Sequence, residues 1–213
     1  MNGNFFSKLI VYLFLILGVI VFITPFIYMV MTTFINGAYS LPKPQEVFTA
    51  VPNFENYEIV WNKNNFFRYF LNSLLVAGVA TVGSVFLGAL TAYAFVRFTF
   101  PGKELLFRIF LFTMMIPLVL AIVPQFTVIK NLGLVNTYWG LWLLYIGGGV
   151  VGSTFFLRGF FETVPKELEE SILMDGGGNW TIFRRIYLPL SKPALGTMAI
   201  FSFSGTWMNI SLR

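Results

Sequence analysis

Apolar and polar residues fall along this chain in long blocks. Five apolar runs stand out, at about 9–34, 70–95, 105–129, 138–157 and 193–212. A helix needs about 20 residues, rising about 1.5 Å each, to cross a hydrocarbon core roughly 30 Å thick. Each run meets that length, and each is apolar on all sides, where a barrel strand would alternate. They predict transmembrane helices. The first run follows Lys8, is too long for a secretory signal and lacks a small-residue cleavage site, so it reads as a retained span. Pro25 inside it is expected to kink or break it. Residues 37–67 are polar and carry Pro42, Pro44 and Pro52, a loop outside the hydrocarbon. Pro101-Gly102 marks a turn before the third run, which Pro117 and Pro124 interrupt as parts of one helix, with a packing kink favoured over a broken helix lining a solute path. The link 130–137 is short, and 158–192 is the long polar loop.

Within that loop, PKELEESILMDGGGNWTIFRRIYLPLSKP runs from Pro165 to Pro193. Pro165 suits the first position of a helix, where its missing N–H costs nothing. Glu167, Glu169 and Glu170 follow it, and negative charge is favourable near a helix N-terminus. Leu168 and Ile172, four apart, share a face, with Leu173 and Met174 nearby. Gly176-Gly177-Gly178 ends the helix, since glycine accepts the left-handed cap. Residues 165–175 thus span about 16 Å, too short to cross a bilayer. Asn179 or Thr181 caps a second helix through Ile182, Phe183 and Ile186, with Arg184 and Arg185 on its polar face, and Leu188-Pro189 ends it. On residues alone, an interfacial hairpin without a partner and a docking element for another protein are equally good readings.

Composition sharpens the class. The 213 residues are 57% hydrophobic, 19% aromatic and only 11% charged, against about 25% charged in soluble domains. Cysteine and histidine are absent, which removes disulfides, thiolate metal sites and the usual near-neutral base. No metal or catalytic site is expected. The net charge of +5 sits at segment ends, so the basic residues read as orientation signals and nucleic acid is not an expected partner. With the N-terminus cytoplasmic, nine basic residues lie inside (Lys8, Arg97, Lys103, Arg108, Arg158, Lys166, Arg184, Arg185, Lys192) and five outside (Lys43, Lys63, Arg68, Lys130, Arg213). This places 158–192 in the cytoplasm. No ionisable residue lies deep in an apolar run, unlike most proton-coupled carriers. No Gly-x-x-x-x-Gly-Lys-[Ser/Thr] occurs, so ATP has no such cradle here.

The loop spacing resembles the cytoplasmic motif of permease subunits of binding-protein-dependent ABC importers: Glu-Ala-Ala, three residues, Gly, nine residues, Ile-x-Leu-Pro. Here Glu170, Ser171 and Ile172 precede Asp175-Gly176, and Ile186, Leu188 and Pro189 follow at the matching distance. Ser171 and Ile172 replace the alanines, and Gly177 stands where alanine is usual. Further segments resemble the maltose-type, carbohydrate branch over nearly the whole chain. They are Pro25-Phe26, Phe54-x-Asn56-Tyr57, Asn72-Ser73, Ala92-Tyr93-Ala94-Phe95, Met115-Ile116-Pro117, Leu132-Gly133-Leu134, Phe156-Leu157-Arg158 and Lys192-Pro193-Ala194. Trp207 is followed by Met208 where the branch usually has Asn, and a final helix and tail of that branch are expected to be missing.

The resemblance implies an all-α polytopic transmembrane bundle, of type I importer character, with residues 1–213 as one permease domain and a cytoplasmic coupling helix. It implies two ATPase subunits, which bind the ATP, so the chain itself holds no cofactor and is no enzyme. A second, related but different permease and an extracytoplasmic solute-binding protein complete the assembly, in the lipid bilayer of a bacterial or archaeal inner membrane. Glu167, Leu168, Glu170, Ser171, Ile172, Met174, Asp175, Gly176, Ile186, Leu188 and Pro189 are the implied coupling residues. Glu170 would meet a basic residue of the ATPase, with Leu168, Ile172 and Met174 as apolar anchors. The cargo implied is a sugar or oligosaccharide; a non-sugar solute, a stand-alone secondary carrier or channel, and a non-transporting scaffold are the alternatives. Substrate contacts are not legible. Gln125, Thr113 and Asn131 suit sugar contact or interhelical bonding equally, and Trp139, Trp142 and Trp207 read first as interfacial anchors. Gly83, Gly88, Gly147–Gly149 and Gly152 read as close-packing positions.

Overall fold

The computed structural model describes residues 3–35, 42, 43, 45, 47, 51–63 and 65–211, and they form helices without strands. The chain divides into two compact units, 1–69 and 70–213.

In the first unit, α1 (Gly3–Thr32) runs unbroken through Pro25, and its side chains are almost all exposed. The expected break there does not occur. The turn that follows it is held by α2 (Glu55–Glu58). Asn56 Nδ2 donates to the carbonyls of Thr33 (3.0 Å) and Ile35 (2.9 Å), and the Tyr57 and Thr33 hydroxyls lie 2.7 Å apart. Phe34 packs against Phe54 and Tyr57. The Phe54-x-Asn56-Tyr57 segment therefore holds the turn that follows α1 through its carbonyls and rings. A π-helical turn, Ile59–Lys63, follows.

α3 (Phe66–Arg97) leads into the second unit. Its buried residues Ala77, Ala80, Thr81, Ser84, Gly88, Ala89 and Ala92 recur every three or four positions, a small-residue stripe of the kind that lets membrane helices approach closely. α6 (Tyr138–Phe161) lies on that stripe. A Cβ at Gly83 would meet Ile146, one at Gly88 would meet Ser153, and one at Gly149 would meet Ser84. The positions ascend together, so α3 and α6 run parallel and Arg97 and Phe161 lie at the same end. Gly147, Gly148 and Gly152 meet no other part of this chain. α9 (Lys192–Ser211) returns antiparallel to α3, with Ser202 hydrogen-bonded to Ser84 at 2.8 Å and Trp207 against Phe70.

The third apolar run is not one helix. α4 (Lys103–Phe112) tightens into a 3-10 turn, Thr113–Met115, and stops. Ile116 is extended, the conformation favoured before proline. α5 (Leu118–Asn131) restarts after Pro117 at 107° to the preceding piece, with Pro124 inside it. Among the described residues α1, α3 and α6 are long and apolar enough to cross a membrane, and α4–α5 makes a fourth if counted as one bent span. α9 has the length, but Gly196, Thr197, Ser202, Ser204, Gly205, Thr206 and Asn209 dilute its hydropathy.

Candidate functional site

The loop between α6 and α9 folds as an elbow on the shared end of α3 and α6. α7 (Glu167–Met174) starts two residues later than Pro165 alone predicts. It closes with a paired cap: Gly176 N–H donates to Leu173 O (3.0 Å) and Gly177 N–H to Ile172 O (2.8 Å). Gly176 sits at φ +76°, where a Cβ is strained. α8 (Asn179–Ile182) follows, with Gly178 preceding it and no side-chain cap, so Asn179 is its first residue and Thr181 lies within it. The chain then widens into a π turn, Phe183–Tyr187, and a last turn at Leu188–Leu190 that takes in Pro189. Pro189 removes the N–H that would have bonded the carbonyl four residues back, and a widened turn absorbs that loss. Phe183, Ile186 and Tyr187, three and four apart, share the buried side, while Arg184 and Arg185 stay exposed.

The elbow is seated by a core of Ala89, Ala92 and Tyr93 from α3, Leu157 and Phe161 from α6, Ile182, Phe183, Ile186 and Tyr187 from the loop, and Ala194 from α9. At its centre lies a carboxylate. Glu169 is 4% exposed, accepts from the Tyr187 hydroxyl at 2.6 Å on Oε1 and pairs with Arg97 Nε at 2.5 Å on Oε2. Burial and then the adjacent Glu169 carboxylate raise the Tyr187 phenol well above its ordinary value, so it stays a neutral donor. Tyr93 donates its hydroxyl to Asn179 O at 3.1 Å and lies edge-on to Tyr187. At the root of the loop Arg158 bonds Glu162 and Glu104, both at 2.9 Å, with its guanidinium 4.0 Å over Phe107.

Of the coupling residues expected from sequence, Glu167, Leu168, Glu170, Ser171, Met174, Asp175, Gly176 and Pro189 are exposed, Met174 at 88%. Ile186 is buried and Leu188 half-buried. Ile172 is turned inward against the core, in the space a Gly177 Cβ would take. Glu169, Arg97 and Tyr187 are brought together only by the fold, as are Arg158 and Glu104. A charge beside Leu168 reads as solvated by pattern, yet Glu169 and Ile172, three apart, are the inward face. The one sequence signal was Arg97 closing a long apolar run.

Between α5 and α6 a cleft of about 940 Å³ is bordered by Gln125, Phe126, Asn136, Tyr138, Trp139 and Trp142. Trp142 stacks on Tyr138 and meets Trp139 edge-on. Thr113 and Asn131 do not border it. Among the described residues no three carboxylates cluster as metal ligands.

Residues 84–212, from mid-α3 through the elbow to α9, match the family profile of the binding-protein-dependent transport system inner membrane component. The chain is similar to the diacetylchitobiose uptake system permease protein NgcG of Streptomyces coelicolor, 37% identical over 196 residues that cover 91% of this chain and 64% of the relative. It is similar to the galactooligosaccharides transport system permease protein GanQ of Bacillus subtilis, 36% identical, covering 72% of this chain and 56% of the relative. It is also similar to the maltodextrin transport system permease protein MdxG of Bacillus subtilis, 30% identical, covering 95% and 72%. The chain thus spans slightly less than two thirds of the Streptomyces relative. A solved bacterial ABC transporter involved in the import of the acidic polysaccharide alginate shares the fold, with a TM-score of 0.79 at 22% identity over 97% of this chain and 72% of that one. With most of its length inside the profile and its elbow in place, the chain belongs to the family of inner-membrane components of binding-protein-dependent transport systems.

Proposed function

We propose that this chain is a membrane-spanning subunit of an ATP-driven importer for a sugar or oligosaccharide in a bacterial or archaeal inner membrane. A solute-binding protein delivers the cargo, a second and related permease completes the path, and two ATPase subunits grip the elbow from the cytoplasm. One observation carries the reading. α7 is anchored from behind by Glu169, while Glu170, Leu168 and Met174 are exposed. That is the form of a lever head: fixed to the body, open to a partner. Glu170 supplies the charge for a basic residue of the ATPase, and Leu168 and Met174 supply apolar contact. Ile172 serves instead within the elbow. The transport systems of the relatives favour a carbohydrate cargo, and the aromatic, amide-bearing cleft between α5 and α6 suits a sugar passing between helices.

Closure of the ATPases would carry the elbow and tilt α3, α6 and α9 between two packed arrangements. Reversing a population from about 1:99 to 99:1 takes about 5.5 kcal/mol of differential binding, which ATP and a loaded binding protein supply jointly. The test is ATPase recovery with an affinity-tagged chain from its native host. Glu170→Ala removes one partner of an interfacial charge pair, at a cost of about 2–5 kcal/mol. The ATPase should then no longer co-purify; undiminished recovery sinks the docking role.

A further inference from the structure

α7 is tied by the chain to α6 and α9, and not to α3. One ion pair supplies the missing tie. We infer that Glu169 and Arg97 are positioning residues that hand the elbow's movement to α3, an inference that rests on the elbow being the ATPase-docking element. Glu167, Glu170 and Asp175 lie exposed, but Glu169 is turned into the core. One oxygen accepts a hydrogen bond from Tyr187 of the π turn, and the other forms an ion pair with Arg97 in the last turn of α3. A buried carboxylate holds its partners tightly, because separation strands a charge out of water. Tyr93, one turn before Arg97, adds a hydrogen bond to Asn179 and ring contacts to Phe183 and Tyr187.

The turn that follows is bracketed from its far side. Glu104, in the first turn of α4, pairs with Arg158 at the loop's root. The α3–α4 turn thus offers a base at one end and an acid at the other, and the loop offers the complement of each. Exchange of partners would set like charges together, so the register is fixed. Glu104 is mostly exposed, and an exposed pair contributes little; the Glu169–Arg97 pair is the tie that carries the movement.

The test reads α3 at its far end. Ser73→Cys places a single thiol, in a chain without cysteine, about 36 Å along the helix from Arg97. Maleimide labelling is compared in the assembled transporter with no nucleotide and with ATP and vanadate. The parent should show a nucleotide-dependent change in labelling rate. Glu169→Gln should keep the ATPase bound yet shrink that change about tenfold or more, within the effect of losing one partner of a buried pair. Arg97→Lys, which keeps the charge, should retain most of it. An undiminished change in Glu169→Gln overturns the inference, as does a parent without any change. Loss of ATPase binding by Glu169→Gln also overturns it, placing Glu169 in docking. Should that variant fail to insert, Tyr187→Phe, which removes one hydrogen bond and keeps the ring, decides in the same assay. If the ATPase does not co-purify with the parent, the proposed function fails first, and that result is separate.

Discussion

Ile172 and Gly177 show how one residue's size is set by another. In the family pattern both positions usually hold alanine, so a β-branched side chain in the motif helix and a glycine after the bend look like two separate departures. They are one. A methyl group on Gly177 would fall within contact distance of Ile172 Cγ2 and 3.0 Å from the Ile172 carbonyl oxygen. The same Ile172 carbonyl accepts the Gly177 N–H that closes the cap, so the pieces cannot move apart without opening the bend. Overpacking of this kind costs about 1–3 kcal/mol. Gly177→Ala should lower the thermal stability of the detergent-purified protein by that amount, and Ile172→Ala in the same chain should recover part of it. Double-mutant analysis settles the matter: if the two changes add to within about 0.5 kcal/mol, the residues are not coupled. The sequence showed both departures but not their relation, because nothing in the spacing says that Ile172 faces its own loop.

The elements follow the same rule: what pattern reveals is their existence, and what contact decides is their role. The apolar runs, the polar loop and the glycine bend were all legible, since each depends on residues close in sequence. The split at Pro117 was not, because a proline in a membrane helix is compatible with a kink or a break, and Pro25 and Pro124 stay inside intact helices while Pro117 ends one. Glycines divide in the same way. Gly88 lies against Ser153, whose side chain and backbone leave no room for a Cβ, and its carbonyl accepts from Thr154 at 3.4 Å. Gly147 has nothing within reach. Gly88→Leu should therefore force α3 from α6, lowering stability by about 1–3 kcal/mol or more as overpacked interfaces do, and Gly147→Ala should leave it within about 0.5 kcal/mol. Thermal scans of the two variants in one detergent check this; equal losses would mean that α3 and α6 do not pack at this register.

At the scale of the whole molecule, direction matters more than packing. Glu169 escaped the sequence because its partner Arg97 stands far off at the end of an apolar run, and only the parallel course of α3 and α6 brings the loop to that end. That course also bears on the membrane. The Arg97 and Phe161 ends lie on one side, joined there by Arg158 and Glu104 and by the basic residues Arg184 and Arg185 of the loop. α6, with 24 residues and about 36 Å of rise, is long enough to put the 130–137 link on the other side. The excess of basic residues at the elbow end is the ground on which we propose that it faces the cytoplasm. In a chain free of cysteine, single reporters decide the matter. Val135→Cys should react with a membrane-impermeant maleimide in intact spheroplasts, and Lys166→Cys should react only after permeabilisation. Both positions are exposed in the fold, so a difference between them measures sidedness. If Lys166→Cys labels in intact spheroplasts as fast as Val135→Cys, the elbow faces away from every source of ATP and the docking role cannot stand. If only Lys166→Cys is protected, the lever faces the compartment that holds its engine, and the ion pair behind it has a load to transmit.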